Sequence, residues 1–242
     1  MQNIFTHGGD VGDLVYAMPT IRALGGGKLV LWPRRYVREP FTPEKVEKVA
    51  TFFASQPYIH SVQFKTQECP THNLDDFRAT WLALRRRGAH GQYNLAELHL
   101  LSQNLSLAHA ADKWLDIDTH VFDPSYSVVF NRTFRYRNHR FPWNDVWDKF
   151  RNVAVFLGTR AEWQEFSGNV GTIRYQETPT LLDAARIIAG CKLYVGNQSA
   201  LMAVAIGLKV PTILQESWLS EPNCLFPWVT SVRDENVNLP DL

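Results

Sequence analysis

Leu193-Tyr194-Val195-Gly196-Asn197-Gln198-Ser199-Ala200-Leu201 reads as a buried strand that stops at a glycine and turns directly into a helix. The first N–H groups of a helix lack intrahelical partners and carry the positive end of its dipole. A strand, tight turn and small-residue helix start is therefore a natural phosphate cradle. The helix that follows, Ser199 to Leu208, is apolar nearly all round (Ala200, Leu201, Met202, Ala203, Val204, Ala205, Ile206) and closes on Gly207, as a helix packed on a sheet does. Pro211-Thr212-Ile213-Leu214 begins the next strand. Such turns also serve as plain scaffold in α/β proteins, so this segment alone leaves both readings open.

A second turn of the same kind lies at the other end. Asn3-Ile4-Phe5-Thr6 is a short strand, His7-Gly8-Gly9-Asp10-Val11-Gly12-Asp13 a glycine-rich turn, and Leu14 to Leu24 an apolar helix ending at Gly25-Gly26-Gly27. Glycines there permit positive φ and close approach of a ligand to the backbone. The turn is neither the G-x-G-x-x-G dinucleotide fingerprint nor a P-loop with Gly-Lys-Ser/Thr. Pro19, inside the helical pattern, is expected to kink the helix or end its first segment.

Gly9-Asp10-Val11-Gly12-Asp13 followed by Ala17-Met18-Pro19-Thr20-Ile21-Arg22-Ala23-Leu24 resembles the amino-terminal signature of the heptosyltransferase-like glycosyltransferases, family 9, of two-domain GT-B fold. Three further segments fall in the same order. Val128 to Thr133 with Arg140-Phe141-Pro142-Trp143 is similar to the family's opening strand of the second domain and its basic-aromatic-proline turn. Val153 to Leu157 with Gly158-Thr159-Arg160-Ala161-Glu162 resembles the next strand and its Gly-x-x-x-Glu loop. Leu181 to Cys191 through Val210-Pro211 is similar to the family's helix, strand and nucleotide-binding turn. The match spans most of the chain, and four ordered motifs are more specific than any one.

The resemblance implies two Rossmann-like α/β lobes with a ligand cleft between them: residues 1–122, an acceptor lobe, and 123–242, a nucleotide-sugar-binding lobe. It implies a metal-independent, inverting transfer of a sugar from a nucleotide diphosphate sugar to a hydroxyl of a saccharide or lipid-linked saccharide. The donor would be held by Arg132, Thr133, Arg140, Glu162, Asn197, Gln198, Ser199 and Ala200, and the acceptor would lie near His7, Gly9, Asp10 and Gly12. No cofactor or metal is expected beyond the donor itself. The chain also departs from the family. Where members carry an acidic residue, Ser or Thr, Gly and then His, this chain has Gln198, Ser199, Ala200 and Met202. An amide hydrogen-bonds a sugar or phosphate but cannot act as a base. Two other readings stay open: a transferase acting on a hydroxylated base in DNA, and a non-catalytic nucleotide or nucleotide-sugar binder. A sugar-phosphate or nucleotide-processing enzyme on the same fold is a weaker third.

The resemblance places a catalytic aspartate at Asp13, and a carboxylate at a glycine turn can take the proton of an attacking hydroxyl. The alternative is an N-cap on a helix starting at Leu14. Asp10 is the second candidate base, and His7 an assistant or a structural histidine. In the second half, Arg132, Arg135, Arg137, His139 and Arg140 crowd one loop among Phe134, Tyr136, Phe141 and Trp143. Arginine forks suit diphosphate oxygens and the aromatics suit a base or sugar, unless the loop is only a solvated basic turn. Arg85-Arg86-Arg87 reads as a helix C-terminus, where cations favour the dipole.

Composition bounds these readings. The chain has 242 residues, 45% of them hydrophobic and 12% aromatic, enough for one large core or two small ones. A net charge of +1 argues against a protein that coats nucleic acid. Cys69, Cys191 and Cys224 show no C-x-x-C spacing, which fits a reducing cytoplasm without a disulfide framework or zinc site. The first apolar run is broken by His7-Gly8-Gly9, so no signal peptide is read, and no run spans a bilayer.

The remaining elements alternate as an α/β chain requires. Lys28 to Trp32 and Ser61 to Lys65 read as strands, and Pro43 to Ser55 as a helix with Val46, Val49, Phe52 and Phe53 on one face. Leu74 to Arg87 reads as an amphipathic helix (Phe77, Trp81, Leu84), and Asn94 to Leu107 and His109 to Leu115 as helical pieces. The first lobe is expected to end near Asp118 to Asp123, with Pro124 in the linker before a strand at Ser127 to Phe130.

Overall fold

A computed structural model describes residues 2–34, 39–67, 69–119, 125–217, 223–233 and 239–241. The chain divides into two compact units, Met1–Ile117 with Thr180–Leu182, and Asp118–Pro179 with Asp183–Leu242. The expected lobe boundary at 122/123 and Pro124 lie outside the described residues.

The first unit runs β1 (Ile4–His7), α1 (Val11–Ala23), β2 (Gly27–Leu31), α2 (Pro43–Ala54), β3 (Ile59–Phe64), β4 (His72–Asn73), α3 (Phe77–Arg86) and α4 (Leu95–Ser102). Its sheet has the order β3-β2-β1-β4 and is parallel throughout. Parallel strands need covered faces, and the apolar run of α1, buried from Leu14 to Ile21, supplies part of that cover. α2 buries the expected Val46, Val49, Phe52 and Phe53, with Thr42 accepting the Lys45 N–H as N-cap and Pro43 in the first turn. α4 opens on a reciprocal capping box, Asn94 with Glu97.

The second unit runs β5 (Val128–Asn131), α5 (Trp143–Phe150), β6 (Ala154–Phe156), α6 (Arg160–Asn169), β7 (Arg174–Tyr175), α7 (Leu181–Gly190), β8 (Leu193–Gly196), α8 (Ala200–Gly207), β9 (Thr212–Gln215) and β10 (Val229–Val232). Its parallel sheet has the order β10-β9-β8-β5-β6-β7. An aromatic cluster of Phe130, Phe141, Trp143, Phe156 and Phe166 fills one face. The Trp143 indole N–H donates to Gln215 Oε1 at 3.0 Å, so the buried ring keeps a polar partner. α8 is buried from Met202 to Gly207, as its all-apolar sequence requires.

Several boundaries differ from the sequence reading. α1 begins at Val11, not Leu14, and Pro19 does not end it; a proline there removes one interior hydrogen bond, and the buried packing of both flanking turns holds the helix to Ala23. Asp10, at the N-cap position with φ 33°, makes no side-chain cap bond. Asp13 is therefore a first-turn residue, and its reading as the N-cap is overturned. The Gly158 to Glu162 loop is the start of α6, in which Glu162 and Thr159 form a capping box. Only Phe77 of the expected face of α3 is buried. The expected helix from His109 to Leu115 is a 3-10 turn, Leu107–Ala111. β4 and β7, two residues each, are too short for any alternation to mark them.

Candidate functional site

In open parallel sheets ligands bind at the carboxyl ends of the strands, where the chain's direction of winding reverses. Each unit has one such point. In the second it lies between β5 and β8, because the chain winds outward from β5 through β6 and β7, then returns to β8 on the other side.

Residues at these two strand ends are tied together. Asn131, paired in register with Gly196, donates to the Leu157 carbonyl at 2.8 Å, and its Oδ1 accepts the Ser199 hydroxyl at 2.8 Å and the Tyr194 hydroxyl at 3.0 Å. Burial pushes the Tyr194 phenol upward, so it stays a neutral donor. Gly196 is required: a Cβ there would stand 2.6 Å from the Asn131 carbonyl oxygen. Ser199 is the N-cap of α8, accepting the Met202 N–H at 3.1 Å, and Ala200 is the helix's first residue. Asn197 Oδ1 takes the Thr133 N–H at 2.9 Å. Gln198 donates to Asn223 Oδ1 at 2.7 Å.

The arginine loop is ordered around one carboxylate. Arg137 forks onto Glu165 at 2.9 and 3.0 Å, while the buried Arg132 reaches it only at 3.3 and 3.5 Å. Arg132 Nε is buried without a hydrogen-bond partner. Burial, then the charge of Arg137, lowers the Arg132 pKa, so an added anion there relieves both costs. Arg140 is exposed, and its backbone N–H donates to Asn138 Oδ1 at 2.9 Å. Glu162 accepts the Thr159 N–H at 2.8 Å, which commits one carboxylate oxygen to the cap of α6. The fold thus joins Ser199 and Tyr194 through Asn131 and Thr133 directly to Asn197, while Arg132 is held by Glu165 and Gln198, Glu162 and Arg140 each hold other partners. Sequence reasoning missed Tyr194 and Glu165; no local signal marks them.

In the first unit the reversal lies between β1 and β4. The turn Gly8 to Asp10 follows β1, which ends at His7, and Asp75 with α3 follows β4. Gly9 bridges to Pro40, and the Asp10 N–H donates to the Glu39 carbonyl at 3.3 Å. Gly12 sits in the first turn of α1. Arg78 Nη2 lies 2.7 Å from Asp13 Oδ2 and 3.7 Å from Asp10 Oδ2, and Arg34 Nη1 lies 2.9 Å from Asp75 Oδ1. His7 is fully buried, its Nδ1 accepting the Gly9 N–H at 3.4 Å while Nε2 has no partner. Burial, then the nearby Arg78 and Arg34, hold its pKa down to about 3. His99, against Phe77 with ring centroids 4.1 Å apart, is likewise kept neutral, first by burial.

Asp13 behaves differently. Burial raises its pKa to about 6, opposed by the Arg78 charge and assisted by Asp10 and Asp75. A carboxylate in that range is a competent proton acceptor near neutral pH. Arg34, Asp75, Arg78 and His99 were not legible as site residues, because the two-residue β4 that brings Asp75 to this end of the sheet carries no pattern of its own. Among the described residues, no cluster of His, Cys, Asp or Glu is arranged to hold a metal ion. Nor is any helix of the described residues long and apolar enough to cross a membrane.

No protein-family profile matches the sequence. No curated protein matches it either. Solved structures do. A glycosyl transferase family 9 protein from Veillonella parvula superposes with TM-score 0.56 at 11% identity, over 95% of this chain and 85% of that one. The E. coli heptosyltransferase WaaC with ADP gives 0.54 at 12% identity, over 96% and 92%. The dodecameric iron-containing glycosyltransferase TibC of enterotoxigenic E. coli gives 0.53 at 14%, over 95% of this chain and 62% of that one. The chain therefore has the fold of these proteins, two Rossmann-like α/β lobes of the GT-B type.

Proposed function

We propose that this chain is a heptosyltransferase-like glycosyltransferase that moves a sugar from a nucleotide diphosphate sugar to a hydroxyl acceptor. The observation that carries the reading is that each unit, taken by itself, has a group of complementary chemistry at the reversal of its sheet. In the second unit these are the buried, unpartnered Arg132 Nε after β5 and the Ser199-capped start of α8 after β8; in the first it is the carboxylate of raised pKa at Asp13. The neighbours lend support, since WaaC was solved with ADP.

In this reading the second lobe holds the donor. The diphosphate lies against the first-turn N–H groups of α8 and the spare donors of Arg132, which offset charge as it develops on the leaving group without calling on a metal. The acceptor lies against the first lobe near His7, Gly9, Asp10 and Gly12. Asp13 takes the proton of the acceptor hydroxyl as that oxygen forms its bond to the anomeric carbon and the diphosphate leaves with the bonding pair. Attack opposite the leaving group inverts the anomeric centre.

A thermal-shift series over nucleoside diphosphates and their sugars, followed by a transfer assay with each donor that binds, tests this. A melting temperature that rises with a nucleoside diphosphate but not with the free nucleoside supports the donor site. No rise with any of them overturns it. Gln198, which stands where the resembling family carries an acid and is committed to Asn223, favours one second reading: a binder without turnover. Stabilisation by a nucleoside diphosphate with neither donor hydrolysis nor transfer would select it.

A further inference from the structure

Three carboxylates, Asp10, Asp13 and Asp75, converge at the head of α1, and Arg78 touches all of them. Its Nη2 is 2.7 Å from Asp13 and 3.7 Å from Asp10, and its Nε is 3.7 Å from Asp75. Only the first is a hydrogen-bonded ion pair; the other two are looser attractions. The guanidinium carbon lies 4.7 Å from the Phe77 ring centroid, which fixes the plane of the fork. The second cation of the cluster, Arg34, is engaged with Asp75. Asp76, next along the chain, accepts the Asn73 amide at 2.7 Å. From α4, which packs on α1, the facing titratable group is His99, and from β1 it is His7; both are buried and held neutral. The cluster is thus three carboxylates against two guanidinium groups, and Arg78 is the cation in hydrogen-bond contact with Asp13.

We propose that Arg78 is the positioning residue of the candidate base: it binds Asp13 Oδ2, keeps that carboxyl ionised against its burial, and leaves the other carboxylate oxygen to accept the acceptor's proton. Burial alone favours the neutral acid, and a neutral acid cannot take a proton. A charge-assisted contact from one side opposes this and also fixes the plane of the carboxylate. A lysine would supply the charge but not the fork. Asp10 works against the same balance, since it repels Asp13 and shares its cation.

The inference rests on Asp13 as the base, but its first test does not. In the full chain labelled with ¹³C at aspartate carboxyls, the Asp13 resonance, assigned by its loss in Asp13→Asn, should titrate with a midpoint of about 6. Arg78→Gln should raise that midpoint by about one pH unit or more. Asp10→Asn should lower it, because a repelling and competing carboxylate is gone. Opposite displacements separate this role from general loosening of the site, which would move both variants the same way. An unmoved midpoint in Arg78→Gln, or a rise in Asp10→Asn, overturns the proposal. Should Arg78→Gln fail to fold, Arg78→Lys takes its place: a midpoint above wild type, as the 2.7 Å contact is lost while the charge is kept, supports the proposal, and an unmoved or lowered midpoint overturns it. In a transfer assay the low-pH limb of kcat/KM should follow the Arg78→Gln displacement, with nucleoside diphosphate affinity unchanged. A wild-type protein that transfers nothing removes the base reading and leaves the titration result standing.

Discussion

Asn197 fastens the end of β8 to Thr133, two residues past the end of β5. Its Oδ1 accepts the Thr133 N–H at 2.9 Å and the Thr133 hydroxyl at 3.3 Å, and its Nδ2 donates to the Thr133 carbonyl at 3.2 Å and to the Arg135 carbonyl. The side chain is fully buried, so the amide serves as an internal clamp. It sets the arginine loop against the turn that opens α8, and with it the spacing of Arg132 from the helix start.

Asn197→Ala is therefore expected to leave several buried groups without partners and to cost about 2 to 4 kcal/mol of stability. Asn197→Asp, which loses both donors and buries a charge, should be at least as costly at pH 7 and milder near pH 4. Urea denaturation at the two pH values checks this. A loss below about 0.5 kcal/mol in both variants, the size of an ordinary surface change, would refute the clamp.

Arg132→Ala should weaken binding of a nucleoside diphosphate by about 1 to 3 kcal/mol, because the buried guanidinium supplies a charge-assisted contact. Ser199→Ala should remove the cap of α8, at about 0.5 to 2 kcal/mol of stability, and loosen the same site. Arg140, which is exposed, is expected to matter less than Arg132. Titration calorimetry at low and moderate salt measures all three. Equal affinities throughout would move the donor site elsewhere.

Gly196→Ala should damage the crevice, since the new methyl would stand 2.6 Å from the Asn131 carbonyl oxygen and 3.0 Å from Tyr194 Cε1. Neither backbone nor buried ring yields easily, and about 1 to 3 kcal/mol is at stake. Gly8→Ala makes the matching test in the first unit, with Arg34 Cβ at 2.3 Å. A melting temperature equal to wild type for either variant would show that its turn has slack.

Asp13→Asn should lower transfer by about 10²- to 10⁴-fold, since an amide cannot accept the acceptor's proton. Donor affinity should be nearly unchanged. Transfer by the wild type should climb with pH through about 6, where the carboxyl ionises, and level off above it. An Asn variant with wild-type rates rejects the assignment and shifts suspicion to Asp10 or His7.

The same carboxyl sets a stability trend of definite sign. Its pKa is raised on folding, from 3.8 to about 6, so the folded state holds the proton longer than the unfolded chain. That contribution is full below about pH 4 and is lost as pH rises toward 6. His7, lowered from 6.5 to about 3, contributes the opposite slope: present above about pH 6.5 and lost as pH falls. Asp13→Asn removes only the first slope, so its stability relative to wild type should improve between pH 4 and pH 7. Denaturant midpoints across that range decide it, and a relative stability that falls instead would contradict the raised pKa.

Much of the scaffold was legible because its signals are local. The apolar run after Ser199 and the Val46, Val49, Phe52 and Phe53 face read as helices, and both were observed. Pro19 misled, since intrinsic propensity gives way where tertiary packing covers the helix on both sides of the break. The capping box of Thr159 and Glu162 was present in the sequence as Thr-x-x-Glu, and it was hidden by reading Gly158 as the start of a loop.

The sequence by itself determined the α/β alternation, the two glycine turns and the residue types standing at each, because hydrophobic period, turn chemistry and composition act over a few neighbouring positions; the two-residue β4 and β7 carry no such signal. Only the tertiary structure decided which side chains meet. Arg78 reaches Asp13 from a separate helix, Glu165 gathers Arg132 and Arg137 from beyond two further elements, and Asn197 closes on Thr133 from the far side of the sheet's reversal. Each of these contacts joins positions far apart in the chain, and its energy depends on burial and on distances of a few ångströms. Those quantities are set by how parallel strands are ordered in a sheet, and no local pattern of residues encodes that order.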